Sequence, residues 1–389
     1  MARIFNFNAG PSVLPLEVLE EAQRELVDFK GSGMSIMECS HRGKEYDAVH
    51  LEAVENLKKL LALSDDYAVL FIQGGASLQF AMVPMNLLGP GQTADYINSG
   101  AWADKAVKEA RLLGGQVNVA GNTGKDIPTR MPAIETLKLT QGAAYVHLTS
   151  NETIAGAQYK VFPKTEAPLV ADMSSDILSR QIDARQFGLI YAGAQKNLGP
   201  SGVAVVVIRK DLAEKAAATV PTMLKYKTYV EENSLYNTPP TFGIYMIALV
   251  TRWILKTGPE ALYRQNADKA GRIYAAIDGN PFYKATAVKE YRSDMNITFR
   301  LPSEELEETF VKEASKLGMK GLKGHRSVGG IRASIYNAFP VAGVDALVAF
   351  MKDFARRTRC RSSSATRRTS RRIPSTIRRP ALRSTSWRW

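Results

Sequence analysis

The stretch Leu189–Gly202 reads LIYAGAQKNLGPSG, and a second apolar run, Val203–Ile208, follows at once. Leu189-Ile190-Tyr191-Ala192 is long enough for a buried strand and is bounded by small residues. Gly193 to Lys196 end that run, after which Gly199, Pro200 and Gly202 force a turn. Two buried strands joined in this way present Lys196 at a sheet's end with little freedom to leave. Burial disfavours the ammonium form, which lowers a lysine's pKa and frees its amine to form a Schiff base. An arbitrary loop lysine is more often simply solvated, so the reading depends on a partner upstream.

That partner is Asp172. The run Ala167–Asp172, APLVAD, reads as another buried strand with a carboxylate at its C-terminal end. Pyridoxal phosphate needs a lysine on its aldehyde and an acid against its ring nitrogen, because a protonated pyridinium is the electron sink for a carbanion. A strand ending in Asp, followed about two dozen residues later by a strand ending near Lys, fits one αβ excursion between neighbouring strands. An isolated Asp at a strand end caps a helix or forms a turn more often; the pair favours a cofactor site.

A chain of 389 residues exceeds what one core usually serves, so two folded domains are expected. The 45% hydrophobic content is that of a globular enzyme. No apolar run reaches membrane-spanning length and no signal pattern opens the chain, so a cytoplasmic protein without a membrane partner is expected. Two cysteines, Cys39 and Cys360, with four histidines exclude a disulfide framework and argue against a metal site. The net charge of +13 belongs to the tail: residues 356–389 hold twelve arginines and no acid, leaving 39 basic against 38 acidic residues in 1–355. That tail of Arg, Ser, Thr and Pro has no apolar periodicity and is expected to be disordered. It lacks the aromatic interleaving of a nucleic-acid arm, so nucleic acid is not an expected partner.

From the N-terminus, a polar, turn-rich arm (Phe5–Ser12) leads to a helix near Pro15–Phe29, with Val18, Leu19, Ala22 and Leu26 as its apolar stripe. The glycine-rich loop 31–43 ends in His41-Arg42, a cation beside a titratable donor, suited to a carboxylate or phosphate. Strand 68–72 runs into Gln73-Gly74-Gly75-Ala76-Ser77 and a helix toward Leu88. Small residues where a strand becomes a helix let backbone N–H groups approach a phosphate, although glycines serve plain turns as often. Strand 95–98 leads to Gly100-Ala101-Trp102 and a helix through 103–113, and an aromatic there serves either the core or a planar ring. Strand 144–149 carries His147 among apolar neighbours, read as a core histidine, and ends in Ser150-Asn151-Glu152-Thr153. Strand ends thus fall at Gln73, Asn98, Thr149, Asp172 and Gly193, with helices between several of them. This is a mostly parallel, doubly wound α/β sheet gathering ligands at its carboxyl edge. A helix over 243–256 closes this part. A small α+β domain follows: helix 259–277, strand 296–300, helix 303–317, strand 330–334 and helix 344–354. In its strand, Arg332 suits bidentate capture of a carboxylate.

The segments FNAGPSVLP, MSIMECSHRG, FIQGGASLQF, YINSGAWADKA, SNETIAG, LVADMSSDILSR, YAGAQKNLGPSG, YNTPPTFGIY and KGHRSVGGIRASIYNAFP extend this reading. From Asn6 to about Arg356 the chain resembles the class V aminotransferases of fold type I. The resemblance implies a large cofactor domain with a seven-stranded, mostly parallel sheet and an N-terminal arm (1–258), a small α+β domain (259–356) and an added tail (357–389). The cofactor it implies is pyridoxal 5'-phosphate, with Lys196 as the Schiff-base lysine and Asp172 on the pyridinium nitrogen. Trp102 is implied to stack on the ring and Thr153 to bond its phenolic oxygen. Ala76, Ser77 and Gln195 would hold the phosphate, joined by Asn237 and Thr238 of the partner subunit in a homodimer with shared active sites. His41, Arg42, His325, Arg326 and Arg332 would surround the substrate. The implied reaction is transamination between glutamate and 3-phosphohydroxypyruvate in serine biosynthesis, with the related phosphorylated hydroxy-keto acid of vitamin B6 synthesis as a further candidate. A cysteine desulfurase shares this fold but needs a nucleophilic cysteine near the small domain, where neither Cys39 nor Cys360 falls. A glyoxylate aminotransferase would not need the extra cations. The family ends near residues 354–357, so no role carries over to the tail.

Overall fold

The computed structural model describes residues 3–370. Its centre is a seven-stranded sheet of β1 (Tyr67–Gln73), β2 (Thr93–Asn98), β3 (Gln116–Asn122), β4 (Val146–Thr149), β5 (Leu169–Asp172), β6 (Phe187–Gly193) and β7 (Val203–Arg209), in the order β1-β7-β6-β5-β4-β2-β3. Within this sheet β7 pairs antiparallel with both neighbours, and the other pairings are parallel. The carboxyl ends of the remaining six strands therefore lie along one edge.

The near-continuous apolar strands are explained by helices on both faces. Val203, Val205 and Val207 of β7 pack with α2 (Lys44–Leu60) and α5 (Thr241–Thr257) through Tyr46, Val49, Ile244 and Ile247. The alternate residues Ala204, Val206 and Ile208 face α3 (Ala76–Leu87) and α4 (Ala101–Leu112) through Phe80, Val83, Ala106 and Val107. Each buried Val or Ile contributes about 1.5–3 kcal/mol, so β7 is pinned on both sides and the turn before it cannot drift.

Between β5 and β6 the expected αβ excursion is absent: residues 173–186 form turns and a 3-10 turn, Ala184–Gln186. Several of these residues are committed to polar contacts that hold them in turns. Ser174 bonds Asp172, Asn151 and Ser175 bond one another, and Asp176 accepts from Gln158. The helix expected over Pro15–Phe29 spans only Leu16–Arg24 (α1), because Leu26, the last residue of its stripe, is exposed and finds no packing partner.

A second core lies in the C-terminal part, where Ile273 and Ile277 of α6 (Pro259–Asp278), Phe310 of α7 (Glu304–Lys316) and Leu347 and Met351 of α8 (Val341–Ser370) enclose β8 (Asn296–Arg300) and β9 (Ile331–Ser334). The N-terminal arm joins this core: Phe5 and Asn6 pair with Met319 and Lys320, and Phe7 is fully buried among its residues. The last helix continues past Arg356 to Ser370 instead of giving way to an unstructured tail at 357. Arg357 binds both Asp353 and Glu313, which carries the helix beyond its apolar stripe. The rest of the tail, 371–389, lies outside the described residues.

Lys269 of α6 is fully buried and donates to the carbonyls of Ile335 (3.1 Å), Tyr336 (2.8 Å) and Phe339 (3.1 Å), fixing the segment that follows β9. Burial pushes its pKa down to about 7. Asn337 in that segment donates its N–H to Asn197, next to Lys196, and its amide to Leu178. Replacing Lys269 by Met strands three carbonyls. It is expected to destabilise the fold by about 3 kcal/mol, read as a lower denaturant midpoint; an unchanged midpoint would contradict this role.

Candidate active site

The turn between β6 and β7 is built by Ala194, whose carbonyl accepts from Leu198 (3.0 Å) and Gly199 (2.8 Å), and whose N–H donates to Val203 (2.9 Å). Lys196 is thereby held at the sheet's carboxyl edge, its Nζ toward Thr153 and Trp102. The N-terminal arm closes over it: the Ser12 N–H donates to Gln195 (2.9 Å) and the Ser12 hydroxyl to the Lys196 carbonyl. Gly10 passes so near that a Cβ there would lie 3.3 Å from Lys196 Cγ. Lys196 Nζ donates to Thr153 Oγ1 at 3.2 Å and sits 5.2 Å from the Trp102 ring centroid. Lys105, one helical turn after Trp102, holds its ammonium 4.3 Å from the same centroid.

Asp172 ends β5, in register with Tyr191 of β6. Its Oδ1 accepts from the Ser174 N–H (2.9 Å) and hydroxyl (2.6 Å), while the Gly193 N–H donates to Ser174 Oγ (3.1 Å). Its second oxygen takes no hydrogen bond among the described residues and stays available to a ligand. Burial pushes the Asp172 carboxyl above its ordinary range, against the pull of the Lys196 ammonium and the Ser174 bonds. Burial pushes Lys196 the other way, below the ordinary lysine value, opposed by Asp172 and Glu152 and assisted by Arg332. Lys196 is nonetheless only partly buried. A desolvated amine and a carboxylate that feel one another's charge are what the two strand ends foretold.

Beside them, α3 begins at Ala76 after Gly75, and a Cβ on Gly193 would lie 3.4 Å from the Ala76 nitrogen. Gly74 lies at φ +98°, Gly75 has open space where a side chain would stand, and Ser77 is exposed. A helix N-terminus with free amides next to a lysine suits a phosphate. Gln195 sits half-buried in the turn that carries Lys196. Arg332 rises from β9, half-buried, with its Nε unpartnered and no carboxylate in ion-pair reach among the described residues. It acts electrostatically on both Lys196 and His325. Burial, Arg332, Arg326 and Lys105 together keep His325 below the usual histidine value. His325 Nδ1 meets Ser327 Oγ at 2.7 Å, and Arg326 beside it is exposed.

The structure thus gathers Lys196, Asp172, Trp102 and Thr153, with Arg332 and His325 in their field. No hydrogen bond, ion pair or ring contact joins His41, Arg42, Asn237 or Thr238 to this group among the described residues. Arg42 and Thr238 are exposed, and the Thr238 carbonyl accepts from Gln73 at 3.3 Å. His147 is a core residue, held by Tyr191 OH (2.9 Å) and stacked on Tyr96, and burial lowers its pKa to about 3. Sequence reasoning missed the roles of Ser12 and Ser174. Ser174, two residues after Asp172, has the spacing of an Asx turn and was findable; the Ser12 contact joins residues far apart in the chain and left no local mark. It also missed the role of Glu152, fully buried beside Thr153, whose carboxyl burial raises to about 7.

These residues fit pyridoxal phosphate. An indole face lies opposite a neutralisable amine, a buried carboxylate has one free oxygen, and the buried Trp102 Nε1 and Arg332 Nε lack protein partners. Such a fold and site define a pyridoxal-phosphate-type transferase, and the aminotransferase class-V family model matches residues 4–347. The chain belongs to the class-V aminotransferases. It is 57% identical over 366 residues to the phosphoserine aminotransferase of Desulfatibacillum aliphaticivorans, covering 91% of this chain and 99% of that one. Its likeness to that of Niallia circulans is 58% over 357 residues, covering 91% and 98%. The structure of phosphoserine aminotransferase from Bacillus circulans subsp. alkalophilus superposes with a TM-score of 0.88 at 57% identity, over 92% of this chain and 99% of that one. Within its class the chain therefore belongs to the phosphoserine aminotransferase family. No helix among the described residues is long and apolar enough to cross a membrane, and no cluster of metal-ligating side chains is present among them.

Proposed function

We propose that this chain transfers the amino group of glutamate to 3-phosphohydroxypyruvate, giving O-phosphoserine and 2-oxoglutarate. The observation that carries the reading is an unpaired, half-buried Arg332 acting on a desolvated lysine and on His325: an anion trap beside an amine. When bound, pyridoxal phosphate supplies the electron sink and carries the amino group between the two acids. Lys196 would hold the cofactor aldehyde, and its amine is the base placed to move the substrate's α-proton. Asp172 would hold the ring nitrogen through its free oxygen, Thr153 bonds Lys196 Nζ, and Trp102 would lie against the ring. Ala76, Ser77 and Gln195 receive the phosphate at the start of α3. Arg332 takes the α-carboxylate in both halves of the reaction. His325 and Arg326 receive the distal anion, carboxylate or phosphate.

His41, Arg42, Asn237 and Thr238 lie apart from this group in one chain, and exposed Met34, Met37 and Tyr236 stand in the same two segments. This supports a homodimer in which the partner completes each site, in the cytoplasm. A fully active monomer by light scattering would sink that part. Residues 1–258 then serve as the cofactor domain and 259–356 as the substrate-gripping one. The desulfurase alternative is disfavoured by Cys39, whose buried thiol donates to the Ser35 carbonyl and is pushed up by burial.

The test is 2-oxoglutarate release from glutamate with 3-phosphohydroxypyruvate against glyoxylate. Parallel double-reciprocal lines and a strong preference for the phosphorylated acid are expected; glyoxylate used equally well would overturn the assignment. Arg332→Lys keeps the charge but loses the planar fork. It is expected to lower kcat/KM about 10²-fold for glutamate and phosphoserine alike, and a loss confined to one substrate would contradict a shared carboxylate site.

A further inference from the structure

We infer that Glu152 is a positioning residue that sets the indole of Trp102 against the cofactor. Trp102 is the second residue of α4, and its own Nε1 makes no hydrogen bond among the described residues, so its polar atom does not orient it. What fixes it is the backbone. Glu152 accepts from the Trp102 N–H (3.3 Å), the Ala103 N–H (3.1 Å) and the Ser99 hydroxyl (3.3 Å). The first two are N–H groups at the start of a helix, which otherwise lack partners.

An ordinary helix meets this need with a Ser or Asp at the N-cap itself. Here that position is Gly100, with an extended backbone (φ 169°) that any residue adopts, so its glycine is there for space. A Cβ on Gly100 would lie 2.5 Å from Glu152 Cδ. The chain has given up the local cap to admit a carboxylate from about fifty residues away. That carboxylate is fully buried, and burial raises its pKa to about 7, with the nearby Asp172 adding to the rise. Its neighbour in sequence, Thr153, is the residue bonded to Lys196 Nζ. One short segment therefore holds the lysine by Thr153 and the indole by Glu152, fixing the spacing between the two. A cap serving stability alone would need neither the remote acceptor nor the missing Cβ.

This inference rests on the proposed cofactor role, and the test separates the two. Pyridoxal phosphate is titrated into the cofactor-free full-length protein by absorbance and tryptophan quenching, with wild type, E152Q, G100A, W102F and the double variant E152Q/W102F. E152Q puts an amide N–H₂ among donors; G100A keeps the carboxylate but pushes it off its site. Each is expected to weaken binding about tenfold and to shift the visible band. Adding E152Q to W102F is expected to cost less than twofold, because the backbone bonds to Glu152 remain but the indole whose placement they set is gone. Equal losses in both backgrounds, or tight binding by both G100A and E152Q, would overturn the inference while leaving the transaminase reading intact. Failure of the wild type to bind the cofactor would instead remove that reading. If E152Q does not fold, G100A and G100A/W102F form the same cycle.

Discussion

Lys196→Ala is expected to remove the visible absorbance of the cofactor-loaded protein and to lower transamination by about 10⁴-fold. Three features make this the most sensitive position. The amine is desolvated, which favours its neutral, nucleophilic form; it is held at 3.2 Å by Thr153; and no second lysine replaces it. Lys105 lies on the same indole but on α4, exposed. Borohydride reduction provides the chemical check: a pyridoxyl mass should be fixed on wild type at Lys196 and on no residue of the variant. Retention of the visible band in Lys196→Ala, or trapping on Lys105, would refute the assignment. The alanine leaves the backbone bonds of the turn untouched, because Ser12 bonds the Lys196 carbonyl and the Ala194 bonds are also main-chain.

How far this site was readable before folding depends on the range of each interaction. Lys196 and Asp172 were legible because each closes an apolar run, and a charged side chain at the end of a buried strand has few places to point. Their adjacency followed from the parallel pairing of β5 and β6, the default for strands separated by a crossover. The antiparallel insertion of β7 between β6 and β1 was not legible, because Val203–Ile208 is apolar on both faces and carries no sign of direction. The missing crossover helix had a visible cause in retrospect: Ser174, Ser175 and Asp176 in succession favour turns over helix. The Ser12 contact with Lys196 joins residues 184 apart, and Glu152 with Trp102 joins residues 50 apart. No local pattern encodes either contact. The helical start of the tail escaped for another reason, since ion pairs to Asp353 and Glu313 took over where apolar spacing ended.

Asp172→Asn is expected to preserve the fold and lower kcat by about 10³-fold. Asn keeps an oxygen in the place of Oδ1, so both Ser174 bonds and the link through Ser174 to Gly193 survive. What changes is the oxygen facing the cavity, which becomes an N–H₂ group. It can no longer hold a proton between itself and a ring nitrogen, and it donates where an acceptor is required. The pH dependence follows with a definite sign. Burial raises the Asp172 pKa, so as pH falls its carboxylate is lost earlier than an exposed aspartate's, despite the opposing Lys196 charge. Cofactor affinity of wild type should therefore drop on the acid side, at a pH above the ordinary aspartate value. The Asn variant, already without the carboxylate, should bind more weakly throughout and lose that acid limb. Two parallel acid limbs would mean that another group governs the titration, and Glu152, raised to about 7 beside the same lysine, would be the group to vary next.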